Sequence, residues 1–143
     1  LHIQNYTVEK EEYKESFQAP DAKVLIVDDV MMNLQVVKGL LRDTKVQVTL
    51  AKSGAEALEL AEKERYDLIL MDHMMPEMDG IETLQKIREG STSNKQTPIV
   101  VLTANAIAGE KEKYLAAGFV DYLSKPVRGK ELEKMVMKYL ILL

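Results

Sequence analysis

Cysteine is absent from this chain, which rules out a disulfide framework and a thiolate metal site without naming a compartment. Long apolar stretches are missing as well. The continuous runs last four or five residues, too few to cross a bilayer as a helix, and no signal peptide is visible. No basic stripe marks a surface for direct nucleic-acid contact and no acidic block marks a solvating tail. The 19 basic and 23 acidic residues are interspersed, with a net charge of −4. Histidine is scarce, with His2 and His73 alone. The default is a cytoplasmic domain without direct membrane contact, although its parent chain could be membrane-anchored. The first residue is Leu1 rather than Met, which suits a piece of something longer.

What is present suits one domain of 143 residues, enough to bury a layered core. Residues 1–21 are polar and acid-rich and read as a linker or tether from an upstream module, with the folded domain at 22–143. Tyr13 and Phe17, four apart, would give a short helix one apolar stripe.

From Lys23 onward strand and helix patterns alternate. Continuous apolar runs at 24–27, 68–71 and 99–102 read as strands buried on both faces, whereas 46–50 alternates and 119–123 is mixed. Between them lie helical patterns at about 31–42, 54–63, 81–87, 109–117 and 129–141. Ser53 and Glu56 form a candidate capping box ahead of the second helix. Alternation argues for an α/β fold with a parallel sheet covered on both faces. Right-handed crossovers with the continuous strands in the centre give a flavodoxin-like (βα)5 doubly wound sheet of order 2-1-3-4-5.

Each distinctive polar residue then falls where a strand stops. Asp28 and Asp29 follow the first, Asp72 the third, Thr103 the fourth and Lys125 the fifth. In a parallel sheet these ends share one edge, at the switch point where such folds bind ligands. Three carboxylates gathered there would repel by about 4 kcal/mol per pair at 4 Å in an effective dielectric near 20. A divalent cation relieves that, and oxygen-only ligation suits Mg²⁺. Asp28, Asp29, Asp72 and the backbone carbonyl of Met74 are the candidate ligands.

Beside a metal and an ammonium group, an Asp72 oxygen can attack phosphorus. Lys125 would neutralise phosphoryl charge and the Thr103 hydroxyl would donate a hydrogen bond to it. Drawing Thr103 inward would empty space that Tyr122, one strand over, could fill. That would carry a local charge event to the surface of the fourth helix, fifth strand and fifth helix, a surface that could also dimerise.

The acid pair Asp28-Asp29, Asp72 with Met75-Pro76 and Asp79-Gly80, Thr103-Ala104, and Tyr122 ahead of Lys125-Pro126 together resemble a receiver domain of two-component signalling, over about residues 22–141. The resemblance implies that Asp72 accepts a phosphoryl group from a partner histidine, that Mg²⁺ is required, and that the Lys125–Pro126 bond is cis. The runs at 32–37 and 71–80 are further similar to receivers fused to hybrid sensor histidine kinases. That implies a sensor histidine kinase or a histidine phosphotransfer domain as partner.

Each residue also has a plainer reading. An Asp-Asp pair at a strand end can be a turn or cap, Thr103 a β-branched strand residue, Lys125 a solvated lysine and Tyr122 a packing aromatic. His73 should point away from Asp72, to the opposite side, and Asn33 could serve first-turn backbone groups of its helix. Met74 and Asn105, two residues past Asp72 and Thr103, are the positions expected to tune phosphate lifetime. Two other function classes compete with the phosphoacceptor. A Mg²⁺-dependent aspartyl-phosphate phosphatase needs a second acid at position 74, where methionine stands. A non-phosphorylated pseudo-receiver usually loses the acid pair, phosphoacceptor or lysine, all present here.

Overall fold

The computed structural model describes residues 17–90, 93–104 and 107–141. Among them five strands alternate with five helices. The strands are β1 (Lys23–Val27), β2 (Gln47–Ala51), β3 (Leu68–Asp72), β4 (Ile99–Thr103) and β5 (Asp121–Ser124). The helices are α1 (Met31–Leu40), α2 (Gly54–Lys63), α3 (Gly80–Gly90), α4 (Ala108–Ala117) and α5 (Gly129–Leu140). All strand pairs are parallel, in the order β2-β1-β3-β4-β5 expected from the strand patterns.

The continuous runs are central because both their faces are covered. In β1, Val24 and Ile26 pack with Leu34 and Val37 of α1 and Leu132 and Val136 of α5. The alternate residues Leu25 and Val27 pack with Ala57 and Ala61 of α2, Leu84 and Ile87 of α3, and Tyr114 of α4. Side chains alternate across a strand, so one run feeds two cores. Each fully buried aliphatic contributes about 1.5–3 kcal/mol.

Local signals match this frame. The Ser53 hydroxyl accepts from the Glu56 N–H at 3.1 Å, and the Glu56 carboxylate accepts in return from the Lys52 N–H at 3.0 Å. That is a capping box displaced by one residue on its return arm. Asp79 caps α3, its Oδ1 accepting from the Glu82 N–H at 2.9 Å. Gly80 is required by proximity, since a β-carbon there would collide with the backbone oxygen of Asp72.

Three boundaries differ from expectation. α1 ends at Leu40, and Arg42–Thr44 forms a 3-10 turn, because the buried Thr44 hydroxyl turns back to the Leu41 carbonyl. β5 begins at Asp121 rather than at 119, because Gly118 takes a φ of 118° and turns Phe119 into the core. Phe17, expected in the tether, is buried against the α1–α5 face, and the Ala19 N–H donates to the Thr44 carbonyl at 2.7 Å. Tyr13 and His2 lie outside the described residues. Among those residues no helix is long and apolar enough to cross a membrane.

The loop before β4 holds a buried polar hub. The Asn94 Nδ2 donates to the carbonyls of Ala61 and Glu64 at 2.7 and 2.8 Å. Its Oδ1 accepts from the Tyr66 N–H at 2.9 Å and the Thr97 hydroxyl at 3.0 Å. Truncation would strand several buried groups at about 1–3 kcal/mol each. Asn94→Ala is therefore expected to cost about 3 kcal/mol or more in urea denaturation. A loss of a few tenths would contradict the hub.

Candidate functional site

Parallel strands bring their C-terminal ends to one edge, and the polar residues sit there. Asp72 is the last residue of β3 and Thr103 the last of β4, while Asp28 and Lys125 directly follow β1 and β5. Backbone bonds fix the last two positions. The Asp28 N–H donates to the Ala51 carbonyl at 3.1 Å, and the Lys125 N–H to the Thr103 carbonyl at 2.9 Å. The Lys125–Pro126 peptide is cis.

The Lys125 ammonium lies between two buried carboxylates, 2.7 Å from Asp72 Oδ1 and 2.9 Å from Asp28 Oδ2. Asp28 Oδ1 accepts from the Val30 N–H at 2.9 Å, so this acid also shapes the turn into α1. Asp29 is exposed and completes the cluster, and one oxygen from each of the three acids lies within 4.8 Å of the others. Three carboxylates face one ammonium, a surplus of two negative charges. All-oxygen donors and that surplus fit a hard divalent cation. Met74, Asn33 and Thr103 line the same cleft, and the Met74 side chain is exposed at its lip.

Electrostatics follow from this geometry. Burial pushes the Asp72 carboxyl above the usual aspartate range; the hydrogen bond from Lys125 opposes this, while the charges of Asp28 and Asp29 add to it. Burial alone would lower Lys125, but its hydrogen bonds to Asp72 and Asp28, with their charges, outweigh that and raise it.

Thr103 is buried at the cleft, with its Oγ1 2.8 Å from the Tyr114 hydroxyl. Tyr114 in turn lies 2.8 Å from Nδ1 of His73. His73 thus turns to the α2–α4 side, away from the acids, as strand alternation requires. Tyr122 does not line the cleft. It is half-buried against the same core, opposite Val101 in register, with the Lys111 ammonium 4.6 Å from its ring centre. Asn105 lies outside the described residues. Sequence reasoning missed Tyr114, whose only signal was a large aromatic in a short helix of alanine and charge.

The match to known proteins follows the same residues. Residues 24–137 match the family described as the response regulator receiver domain. The chain belongs to that family. This receiver domain is 43% identical over 116 residues to the signal transduction histidine-protein kinase BarA of Escherichia coli (strain K12), covering 81% of the chain but 12% of that protein. Among solved structures it resembles the receiver domain of sensor histidine kinase PA1611 from Pseudomonas aeruginosa PAO1, which holds a magnesium ion in its active site cleft. The TM-score there is 0.75 at 38% identity, with coverage of 82% of this chain and 96% of that one. It also resembles one chain of the co-crystal structure of the Saccharomyces cerevisiae histidine phosphotransfer signaling protein Ypd1 and the receiver domain of its downstream response regulator Ssk1, at TM-score 0.76 and 34% identity, covering 84% of this chain and 89% of that one. The chain is a receiver domain of a two-component phosphorelay.

The raised Asp72 carboxyl has a consequence for stability. A group with a raised folded-state pKa stabilises fully below its unfolded pKa, and that contribution is lost as pH rises through the folded value. Asp72→Asn, which mimics the protonated form, should therefore raise the metal-free urea midpoint at pH 7. The gain should vanish below the ordinary carboxylate range. A destabilised variant at pH 7 would show that the Lys125 bond outweighs burial.

Proposed function

We propose that Asp72 is the phosphoacceptor, taking a phosphoryl group from a phosphohistidine with a Mg²⁺ ion held by Asp28, Asp29, Asp72 and the Met74 carbonyl. The observation that carries this is the charge imbalance: three acids converge on a single ammonium at the edge of a parallel sheet. A bound Mg²⁺ ion would supply the missing positive charge and shield the phosphoryl oxygens from the acids.

An Asp72 oxygen attacks phosphorus, the phosphorus–nitrogen bond breaks, and its electron pair stays on the imidazole nitrogen. Lys125 remains beside the new acyl phosphate and Thr103 donates its hydroxyl proton to a phosphoryl oxygen. Tyr122 then shifts against the α4–β5–α5 surface, where partner binding or dimerisation changes.

The donor of the phosphoryl group is a sensor histidine kinase or a histidine phosphotransfer domain. Supporting this, two exposed apolar side chains line the cleft, Val30 and Met74, the latter 75% exposed, and Met31, Met32 and Val36 of the adjoining α1 are exposed as well. Such a surface suits a helical partner that presents a histidine at its centre. In this reading residues 1–21 are the connector from an upstream module, anchored at Phe17, and 22–143 the cytoplasmic receiver. The domain turns over only its own phosphate, since the thioether at position 74 has no proton to give a leaving group.

Incubation with acetyl phosphate and Mg²⁺ should add one phosphate by intact mass, and Asp72→Asn or chelation should abolish it. No mass gain in the unsubstituted domain would defeat the proposal. Met74 and Asn105 set how long the phosphate lasts. Met74→Glu should speed its decay by on the order of tenfold, by orienting an attacking water. An unchanged decay rate would remove Met74 from that role.

A further inference from the structure

We infer that Tyr114 is a positioning residue for the Thr103 hydroxyl, holding it in the orientation the domain has before phosphorylation. The inference rests on the phosphoacceptor reading above and assigns a part to a residue outside the cleft.

The Tyr114 hydroxyl lies 2.8 Å from Thr103 Oγ1 and 2.8 Å from His73 Nδ1. The ring is fully buried and cannot follow a moving partner. It stands edge-on between His73, with centroids 5.1 Å apart, and Phe119, at 5.9 Å. His73 is itself pinned through its backbone, its N–H donating to the Leu102 carbonyl at 3.2 Å and its carbonyl accepting from the Gly80 N–H at 2.8 Å. The phenol oxygen is thus a fixed point on the α2–α4 side of the sheet. The Asp72 carboxylate lies elsewhere, with Lys125 and Asp28 at the sheet edge.

A threonine hydroxyl has one proton to donate. In this inference the phenol gives its own proton to His73 Nδ1 and accepts the Thr103 proton, so when a phosphoryl oxygen on Asp72 takes that proton the hydroxyl swings from the phenol toward the cleft. The Thr103–Tyr114 bond therefore belongs to one state, whereas the Tyr114–His73 bond is kept in both. An interaction present in only one state biases the equilibrium toward that state. Tyr114 consequently opposes activation, and removing its hydroxyl takes one partner from Thr103 in the resting state only.

Beryllium fluoride with Mg²⁺ serves as the phosphoryl mimic. Tyr114→Phe keeps the ring and should bind it about fivefold more tightly, as expected for one net hydrogen bond. In a Thr103→Ala background the same change should leave affinity unaltered, because the bond is already gone. An equal shift in both backgrounds would mean that Tyr114 acts through packing alone, and would overturn the inference. Unchanged or weakened binding in Tyr114→Phe would overturn it too. In the unsubstituted protein, saturation with the mimic should move the Tyr114 ring resonances. This second measurement decides the matter if Tyr114→Phe fails to fold, and unmoved resonances would refute the inference. If the unsubstituted domain does not bind the mimic at all, the phosphoacceptor reading fails and takes this inference with it.

Discussion

The Lys125 ammonium, shared between Asp28 and Asp72, is the contact on which this structure turns. It joins the ends of β1, β3 and β5, elements far apart in sequence, through two short charge-assisted bonds. A buried ion pair is weak evidence for stability, because desolvation offsets much of the attraction. Breaking one is costly, because it leaves a carboxylate buried without compensation. The cluster is thus intolerant of losing its cation while remaining over-supplied with negative charge. Burial still holds Asp72 above the ordinary aspartate range despite the neighbouring lysine. An acid kept in such a place is a cost to the fold, of the kind found where a site serves chemistry rather than packing.

The sheet separates two environments around that acid. On one side of β3 lies the charged edge, with Val30 and Met74 exposed beside it. On the other, His73, Tyr114 and Thr103 form a buried polar chain within an otherwise apolar core. Asp72 and His73 are adjacent in sequence and face opposite ways, so the end of β3 contacts both. Thr103, at the end of the neighbouring strand, borders the cleft and also reaches the phenol. Its hydroxyl is the point at which a change in the cleft meets the packing of α4. The Asn94 hub ties the opposite end of the sheet to α2 and the loop before β4, so that end is stiffened by hydrogen bonds between backbone and one side chain.

Much of the fold was legible in the residues. Apolar runs without alternation marked β1, β3 and β4 as covered on both faces, and that placed them in the middle of the sheet. Ser53 and Glu56 announced a helix start through short-range hydrogen bonds that depend on nearby positions alone. Boundaries slipped where a distant contact intervened. Phe119 left the strand pattern for the core, and Phe17 left the tether for the α1–α5 face, because both found apolar partners that local spacing does not reveal.

The alternation of strand and helix by itself determined that the acids, Thr103 and Lys125 would stand at one edge, since every parallel strand ends there. Tertiary structure alone decided which oxygens the ammonium meets, that Tyr122 lies outside the cleft, and that Tyr114 reaches Thr103. Periodicity reports which face a side chain takes, whereas the partner it meets depends on the angle and depth at which another element packs. Those are properties of the assembled layers, and no stretch of the chain carries them alone.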